Sequence, residues 1–441
     1  MGVAVALFTR DLRVRDNPML AGAVRDGDRV VPLFVLDEAI LTRQPLAPNR
    51  IRFLLAALAE LDAELRAAGG RLILRRGAVV EEVARVVGEC GAESVHIAAD
   101  VSHYSLEREQ RLRDRLARSR CRLEVHPASV TVVDPVELRP ATGRDHFAVF
   151  TPYFNRWVEM PLRAAVRKPS GIAVPEIESE EVPAFEDLCP EPGSPSLVVG
   201  GERSGRKLLS EWLSGPVERY ESDNDLLAVA GTSRLSPFLH FGCLSPVEVV
   251  RRTDLSTPGG LAFARQLAWR DFHHQLLAAQ PETAWRDYRP RAADWREDPQ
   301  AFEAWRAGRT GYPVIDAGMR QLLAEGWMPG RARLIAASFL TKNLRIDWRL
   351  GAAHFLHWLV DGDIANNQLN WQWAAGTGTD TRPNRVLNPI RQAERYDPDG
   401  EYVRRWLPEL AELPGASIHK PWRAGFLAPD YPPPLVECKG M

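Results

Sequence analysis

IRFLLAALAELDAELRAAGGRLILRRG, residues Ile51 to Gly77, carries two periodicities in one line. Apolar residues recur three and four apart through Leu65, the spacing of an amphipathic helix, and beyond Gly69-Gly70 the chain becomes RLILRRG, an apolar run of strand length. A helix that passes through glycines into a strand is half of a βαβ unit. The same alternation runs through the first 130 residues, with VAVALF, VVPLFVL, SVHIAAD and CRLEVH as the other strand-like segments. It predicts a parallel sheet with helices on both faces, an α/β Rossmann-like domain. The phosphate-binding pattern G-x-G-x-x-G is missing after the first strand, where the chain reads FTRDLR, so this is not an ordinary dinucleotide site.

At 441 residues the chain is too long for one core and suits two or three domains. Hydrophobic content of 45% and charged content of 26% are those of a globular protein, and no apolar run approaches the ~20 residues of a membrane span. The start, MGVAVALFTRDLR, lacks a basic region and cleavage site of export type. The five cysteines are scattered without a C-x-x-C pair, which fits a reducing compartment. Together these predict a cytoplasmic protein with no membrane partner; a monomer is the expected state. A net charge of -2 carries no sign of a nucleic-acid partner, although residues 171–200 hold acidic residues and no Lys or Arg, leaving the remainder slightly basic.

Three regions follow from texture: an α/β domain over 1–130, a linker over 131–200, and a helical domain over 201–441. The linker includes PEIESEEVPAFEDLCPEPGSP, too polar and proline-rich to order itself as a core. Beyond it, helical patterns are divided by Gly and Pro, and twelve of the thirteen tryptophans lie there.

Three stretches in that region carry chemistry. AGTSRLSPFLHFGCLSP (230–246) sets Thr232, Ser233 and Ser236 before an apolar run, which suits either a phosphate or plain helix N-caps. RQLAWRDFHH (265–274) puts Gln266, Trp269, Arg270 and His273 on one helical stripe that could stack on a planar heterocycle, or simply bury a Trp beside an Arg–carboxylate pair. DGDIANNQLNWQWAAGTGTD (361–380) sets Asp361, Asp363 and Asn367 ahead of Trp371 and Trp373, polar groups suited to the edge of a buried ring, with Arg333 available to neutralise a carboxylate. The glycine and spacing of a calcium loop are absent, and the histidines lack a carboxylate-supported ligand pattern, so no metal is expected.

With FTRDLRVRDNP, GTSRLSP, AWRDF, TGYPVIDAGMRQL, ASFLTKNLRIDW and RVLNP, these stretches give the chain a strong resemblance to the photolyase/cryptochrome family. Within it the chain resembles the bacterial class I cyclobutane pyrimidine dimer photolyases of the deazaflavin-antenna type. The resemblance implies FAD in the helical domain, with Tyr220, Thr232, Ser233, Arg234, Leu235 and Ser236 at its phosphates and Arg270, Arg333, Asp361, Asp363 and Asn367 at its rings, Asn367 beside flavin N5. It implies an electron chain of Trp371, Trp348 and Trp295, the last exposed. Gln266, Trp269 and Trp373 would meet a dimer flipped out of UV-damaged DNA, and Arg331 and Arg385 the flanking phosphates. Asp37, Arg50 and Asp100 would hold an antenna, 8-hydroxy-5-deazaflavin or alternatively methenyltetrahydrofolate. Departures fall in the lesion pocket: Gln266 stands where class I enzymes carry Glu, Met328-Pro329-Gly330-Arg331 where they read Met-His-Asn-Arg, Leu334 where Met is usual, and Asn224 where Arg is common. The implied function is blue-light repair of pyrimidine dimers. The alternatives are a cryptochrome-like photoreceptor without repair turnover, towards which Gln266 leans, and a plain nucleic-acid-binding helical module.

Overall fold

The computed structural model describes residues 2–42, 46–291, 294–423 and 430–438. Backbone contacts divide the chain into two compact units. The first comprises Met1–Pro192, Val198–Gly215 and Ser233–Pro281, and the second Gly193–Leu197, Pro216–Thr232 and Glu282–Met441.

In the first unit five strands form one sheet: β1 (Val3–Leu7), β2 (Arg29–Asp37), β3 (Ile73–Gly77), β4 (Ser94–Ala98) and β5 (Arg122–His126). All pair in parallel in the order β3-β2-β1-β4-β5, with Val5 opposite both Val31 and Val95. Helices α1 (Pro18–Asp26), α2 (Pro48–Ala67), α3 (Val79–Cys90) and α4 (His103–Ala117) make the crossovers, as the alternation predicts. The opening stretch folds as its periodicity dictates. α2 closes at Ala67, Gly69 takes the left-handed region (φ 94) with its N–H bonded to Arg66 O, and β3 begins at Ile73. Val5, Val31, Leu33, Ile73 and Val95 pack with Val83, Val86, Leu112 and Leu116 in one cluster, each burial contributing about 1.5–3 kcal/mol.

The acidic, proline-rich stretch forms no strand of its own, yet Val30 N–H donates to Ala173 O (2.8 Å), Leu74 N–H to Ser179 Oγ (3.0 Å) and Glu180 N–H to Leu74 O (2.9 Å). It covers the edge strand β3 and borrows order from the sheet, burying Ile172 and Ile177.

Behind the sheet His96 Nδ1 and His126 Nε2 share a 3.0 Å hydrogen bond, and Ser94 Oγ lies 3.0 Å from His96 Nε2. Burial, reinforced by the neighbouring imidazole, pushes His96 down to about 4, and burial also lowers His126. The native state therefore refuses protons that the unfolded chain takes up at its ordinary value of about 6.5. Stability from this pair is full above about pH 6.5 and is lost as pH falls towards about 4.

In the second unit the helices that matter are α7 (Pro313–Glu325), α8 (Gly330–Ser338), α9 (Trp348–Trp358) and α10 (Ile364–Ala375), with a π-helical turn over Phe339–Asn343. Their core gathers Trp305, Tyr312, Ile335, Phe339, Trp348, Phe355, Trp371 and Tyr402. α9 meets α10 through Gly351, where any Cβ would collide with Cη2 and Cζ3 of the Trp371 indole.

Two outcomes are expected. Urea midpoints measured at about pH 7 and about pH 5 should fall less for His96→Gln than for the wild type, since Gln can hydrogen-bond Ser94 and His126 but cannot titrate. Gly351→Ala should cost about 1–3 kcal/mol in the same assay, because the indole is walled in and the helices must part.

Candidate functional site

In the second unit the site is built from the start of α10 outward. Asp363 is its N-cap, with Oδ1 accepting from Asn366 N–H (2.8 Å) and Asn366 Nδ2 (2.7 Å). Two residues earlier, buried Asp361 accepts from Arg333 Nη2 at 2.8 Å, and Arg333 Nε also donates to Met328 O. The other oxygen, Asp361 Oδ1, is buried and has no hydrogen-bond partner among the described residues. Asn367 Nδ2 donates to Ala352 O (3.1 Å) and Gln368 Oε1 (2.8 Å).

The helical period then separates the two tryptophans. Trp371 lies one turn after Asn367 and is buried, its ring against Phe355 (4.9 Å, 73°) and Trp305 (6.0 Å, 74°). Trp373, two positions on, is half-buried with Arg385 Cζ 5.4 Å from its ring centroid. Between them Gln372 is fully buried and acts as a staple: its Oε1 accepts from Tyr288 N–H, and its Nε2 donates to Thr283 O and Arg286 O. The sequence reading missed Gln372, and a buried amide flanked by two aromatic residues is the signal that could have found it.

Trp348, the first residue of α9, is fully buried with its indole N–H on Asp287 Oδ1 at 2.9 Å. Trp295 is half-buried against the core, less open than its charged neighbours suggest. Arg331 is ion-paired to Asp225 and lies 4.4 Å from the Tyr396 ring centroid. Arg382, Pro383, Asn384 and Arg385 line an open basic recess, with Arg291 Nη1 on Asn384 Oδ1 at 3.0 Å. Gly330 is exposed with open space around it, and Leu334 is half-buried. Tyr220 is buried, which pushes its phenol well up, and Thr232 is half-buried.

In the first unit, Ser233, Arg234, Leu235 and Ser236 lead into a five-residue helix, Ser236–His240. Its N-cap is Leu235, which offers no side-chain acceptor, while Ser233 Oγ accepts from Leu235 N–H at 3.4 Å, so Ser233 is not a helix cap. Arg234 is exposed and sits at φ 52.

Helix α5 (Phe150–Trp157) packs on α6 (Pro258–Ala279), which carries the predicted stripe. Gln266 is exposed, Trp269 and Arg270 are half-buried and His273 is buried. Trp269 stacks face to face on Phe150 with centroids 3.6 Å apart and planes 4° from parallel. Arg270 donates to Val130 O (2.5 Å) and Leu239 O (3.3 Å), and the buried carboxylate is the next residue, Asp271. Asp271 Oδ2 accepts from Val132 N–H, Val133 N–H and Trp157 Nε1, and burial pushes the acid up to about 6.

At the sheet's carboxyl end, strand order reverses between β1 and β4, the place where open α/β sheets bind ligands. Asp100 stands there after β4, gripped by Arg10 Nη1 (3.2 Å to each oxygen), Ser105 Oγ and Val101 N–H. Asp37, buried and raised by that burial, caps a short helix through Ala39 N–H, while Arg50 is half-buried on α2. Asp11 Oδ2 and Arg108 Nε are buried without hydrogen-bond partners among the described residues. Arg10, Asp11 and Arg108 escaped the sequence reading, although FTRDLR marked the place by lacking glycines.

Residues 4–171 match the DNA photolyase family and residues 263–441 the FAD binding domain of DNA photolyase. A deoxyribodipyrimidine photo-lyase of Streptomyces griseus is 56% identical, over 99% of this chain and 97% of that protein. A bacterial class III photolyase from Agrobacterium tumefaciens superposes with a TM-score of 0.91 at 33% identity, over 99% of this chain and 94% of that one. An archaeal photolyase from Sulfolobus tokodaii, solved with two FAD molecules and implying a novel light-harvesting cofactor, gives 0.88 at 32% identity, over 99% and 96%.

These relatives correct one expectation, the assignment to class I with a deazaflavin antenna: the likeness runs to a class III structure and to a protein with a second FAD. The physical reason is that the long motifs are those of the family as a whole, so they are silent on class. The antenna assignment rested on three side chains, of which Asp100 is already held by Arg10 and Asp37 is a helix cap. The flavin assignment has firmer support in the donor set of the second unit. A buried carboxylate oxygen with no donor among the described residues, in the same unit as a buried amide and a buried indole, suits the N–H edge of a flat heterocycle. The chain belongs to the DNA photolyase family, its N-terminal parallel sheet followed by a helical FAD-binding domain.

Proposed function

We propose that this photolyase-family enzyme splits cyclobutane pyrimidine dimers in UV-damaged DNA, driven by blue light, and works as a monomer. Reduced FAD, when bound, supplies the electron that opens the dimer and receives it back. The observation that carries the reading is the division of α10. Asn367 and Trp371 lie on its buried face, and Trp373 lies half a turn away towards solvent beside Arg385. One face serves the cofactor and the other the lesion.

The residues then take distinct tasks. Arg333 holds Asp361 in place and leaves it an oxygen that would accept from the flavin's N–H edge, and Asn367 would stand beside the reactive ring nitrogen. Trp371, Trp348 and Trp295 are the path that recharges oxidised cofactor from the surface. Trp373 offers a flat face to a flipped base, and Arg385 a cation to the adjoining phosphate, a contact that makes affinity fall with salt. Trp269, held flat by Phe150, offers a second stacking face, and Gln266 an amide for the pyrimidine carbonyls. A second, planar chromophore is proposed for the crevice where β1 and β4 end, where Asp11 would answer an N–H edge and Arg108 a carbonyl; mass spectrometry of released cofactors identifies it.

The deciding experiment is illumination of the reduced holoenzyme with dimer-containing DNA. Restored thymine supports the reading, and flavin-loaded protein with no turnover leaves a photoreceptor instead. Trp371→Phe should abolish photoreduction of the oxidised holoenzyme, followed by absorption, while chemically pre-reduced Trp371→Phe still repairs. Gln266→Glu should hold dimer affinity within about tenfold, ~1.4 kcal/mol, whereas Gln266→Leu should lose about 1–3 kcal/mol in titrations with dimer-containing DNA. FAD content should be unchanged in both, and a loss of FAD in either would move Gln266 from the lesion to the cofactor.

A further inference from the structure

The buried tryptophans of the second unit differ in what their indole N–H groups meet. Trp305 donates to a backbone carbonyl, Ala336 O, at 3.1 Å, which is all a neutral indole requires. The N–H of Trp371 has no partner among the described residues. Trp348 alone of the three donates to a carboxylate, Asp287 Oδ1, at 2.9 Å. The same oxygen accepts from Arg349 Nη2 at 2.8 Å, and the Arg349 guanidinium lies 4.7 Å from the Trp348 ring centroid. Arg349 is fixed further by Asp347 Oδ1 (3.1 Å) and by Trp285 O (2.9 Å). The Trp348 ring is fully buried, while the Asp287 side chain is 15% exposed and so reaches water.

We propose that Asp287 is the base that takes the Trp348 indole proton when that ring is oxidised, holding the oxidising equivalent there as a neutral radical until an electron arrives by way of Trp295. The inference rests on the electron path of the proposed function and adds a positioning and proton-accepting residue to it. The oxidant is the light-excited oxidised flavin of the holoenzyme. One electron passes from Trp371 to that oxidant, and one from Trp348 to oxidised Trp371. The N–H bond of Trp348 then breaks, the proton joins Asp287 Oδ1, and its bonding pair stays on the indole nitrogen, leaving a neutral radical and a carboxylic acid. An external thiol later returns one electron, and the proton goes back to the ring.

Oxidation turns a very weak N–H acid into one comparable with a carboxylic acid, so a hydrogen-bonded carboxylate becomes a competent acceptor. The Arg349 guanidinium disfavours a cation on the ring beneath it while leaving a neutral radical untouched. Trp371 has no base at its nitrogen among the described residues, so migration outward to Trp348 is favoured and return is slowed.

The test follows flash-induced absorption of flavin-loaded protein in H2O and D2O, in a Trp295→Phe background that makes Trp348 the last carrier. The tryptophan cation spectrum should give way to that of the neutral radical, more slowly in D2O. Adding Asp287→Asn, which keeps a carbonyl acceptor but no basicity, should slow that conversion on the order of a hundredfold and hasten charge recombination. Asp287→Glu should restore much of the rate. Flavin content and unfolding midpoint establish that each variant is folded. Conversion at the original rate in Asp287→Asn, or no solvent isotope effect with Asp287 intact, overturns the proposal, and the second result needs no variant at Asp287 to fold. Trp348→Phe separates the underlying reading: photoreduction unchanged there would remove Trp348 from the path altogether.

Discussion

The contact between the Trp371 indole and the bare backbone of Gly351 is the constraint on which the second unit depends. It sets how closely α9 and α10 approach, and the rest of the site inherits that spacing. Asn367 reaches back across the same seam to Ala352 O, and Gln372 fastens the far side of α10 to the 283–288 segment. A helix gripped on both flanks cannot rotate, and its turn of 100° per residue then commits Trp371 inward and Trp373 outward. A buried indole and a half-buried one turned towards solvent thus arise from nearby residues of one helix.

Charge in this protein is placed by the same economy. Asp361 is neutralised through one oxygen and left able to accept through the other, Asp363 spends its carboxylate on a helix terminus, and Asp287 faces an indole. The first unit shows the counterpart. Asp271 gathers two backbone N–H groups and the Trp157 indole and is still raised by burial, while Arg270, 3.9 Å from its other oxygen, also bonds carbonyls of two separate segments. Buried acids acting as nodes between segments account for why polar residues crowd an otherwise apolar interior.

The resemblance was informative in proportion to how many atoms each feature needs. A flavin domain takes long runs of residues, and those runs are visible as motifs. An antenna assignment took three side chains, and single aspartates at strand ends serve sheets of every kind. The class III likeness and the two-FAD relative therefore displaced the class I, deazaflavin assignment without disturbing the family. Arg331 is paired by the fold with Asp225 and lies over the Tyr396 ring, contacts that its place in a motif does not encode.

By itself the sequence determined the alternation that becomes the parallel sheet, the helical texture of the later residues and the chemistry available on α6 and α10. Those are properties of local periodicity, which short stretches of chain express whatever surrounds them. The tertiary structure alone decided that Gln372 is a staple, that Phe150 lies flat beneath Trp269, that the acidic stretch covers β3, that Arg10 closes on Asp100, and that Asp287 meets Trp348. Each of these joins residues tens to more than a hundred positions apart. No local pattern encodes such a pairing, because its energy appears only when the chain has brought both partners out of water and into contact.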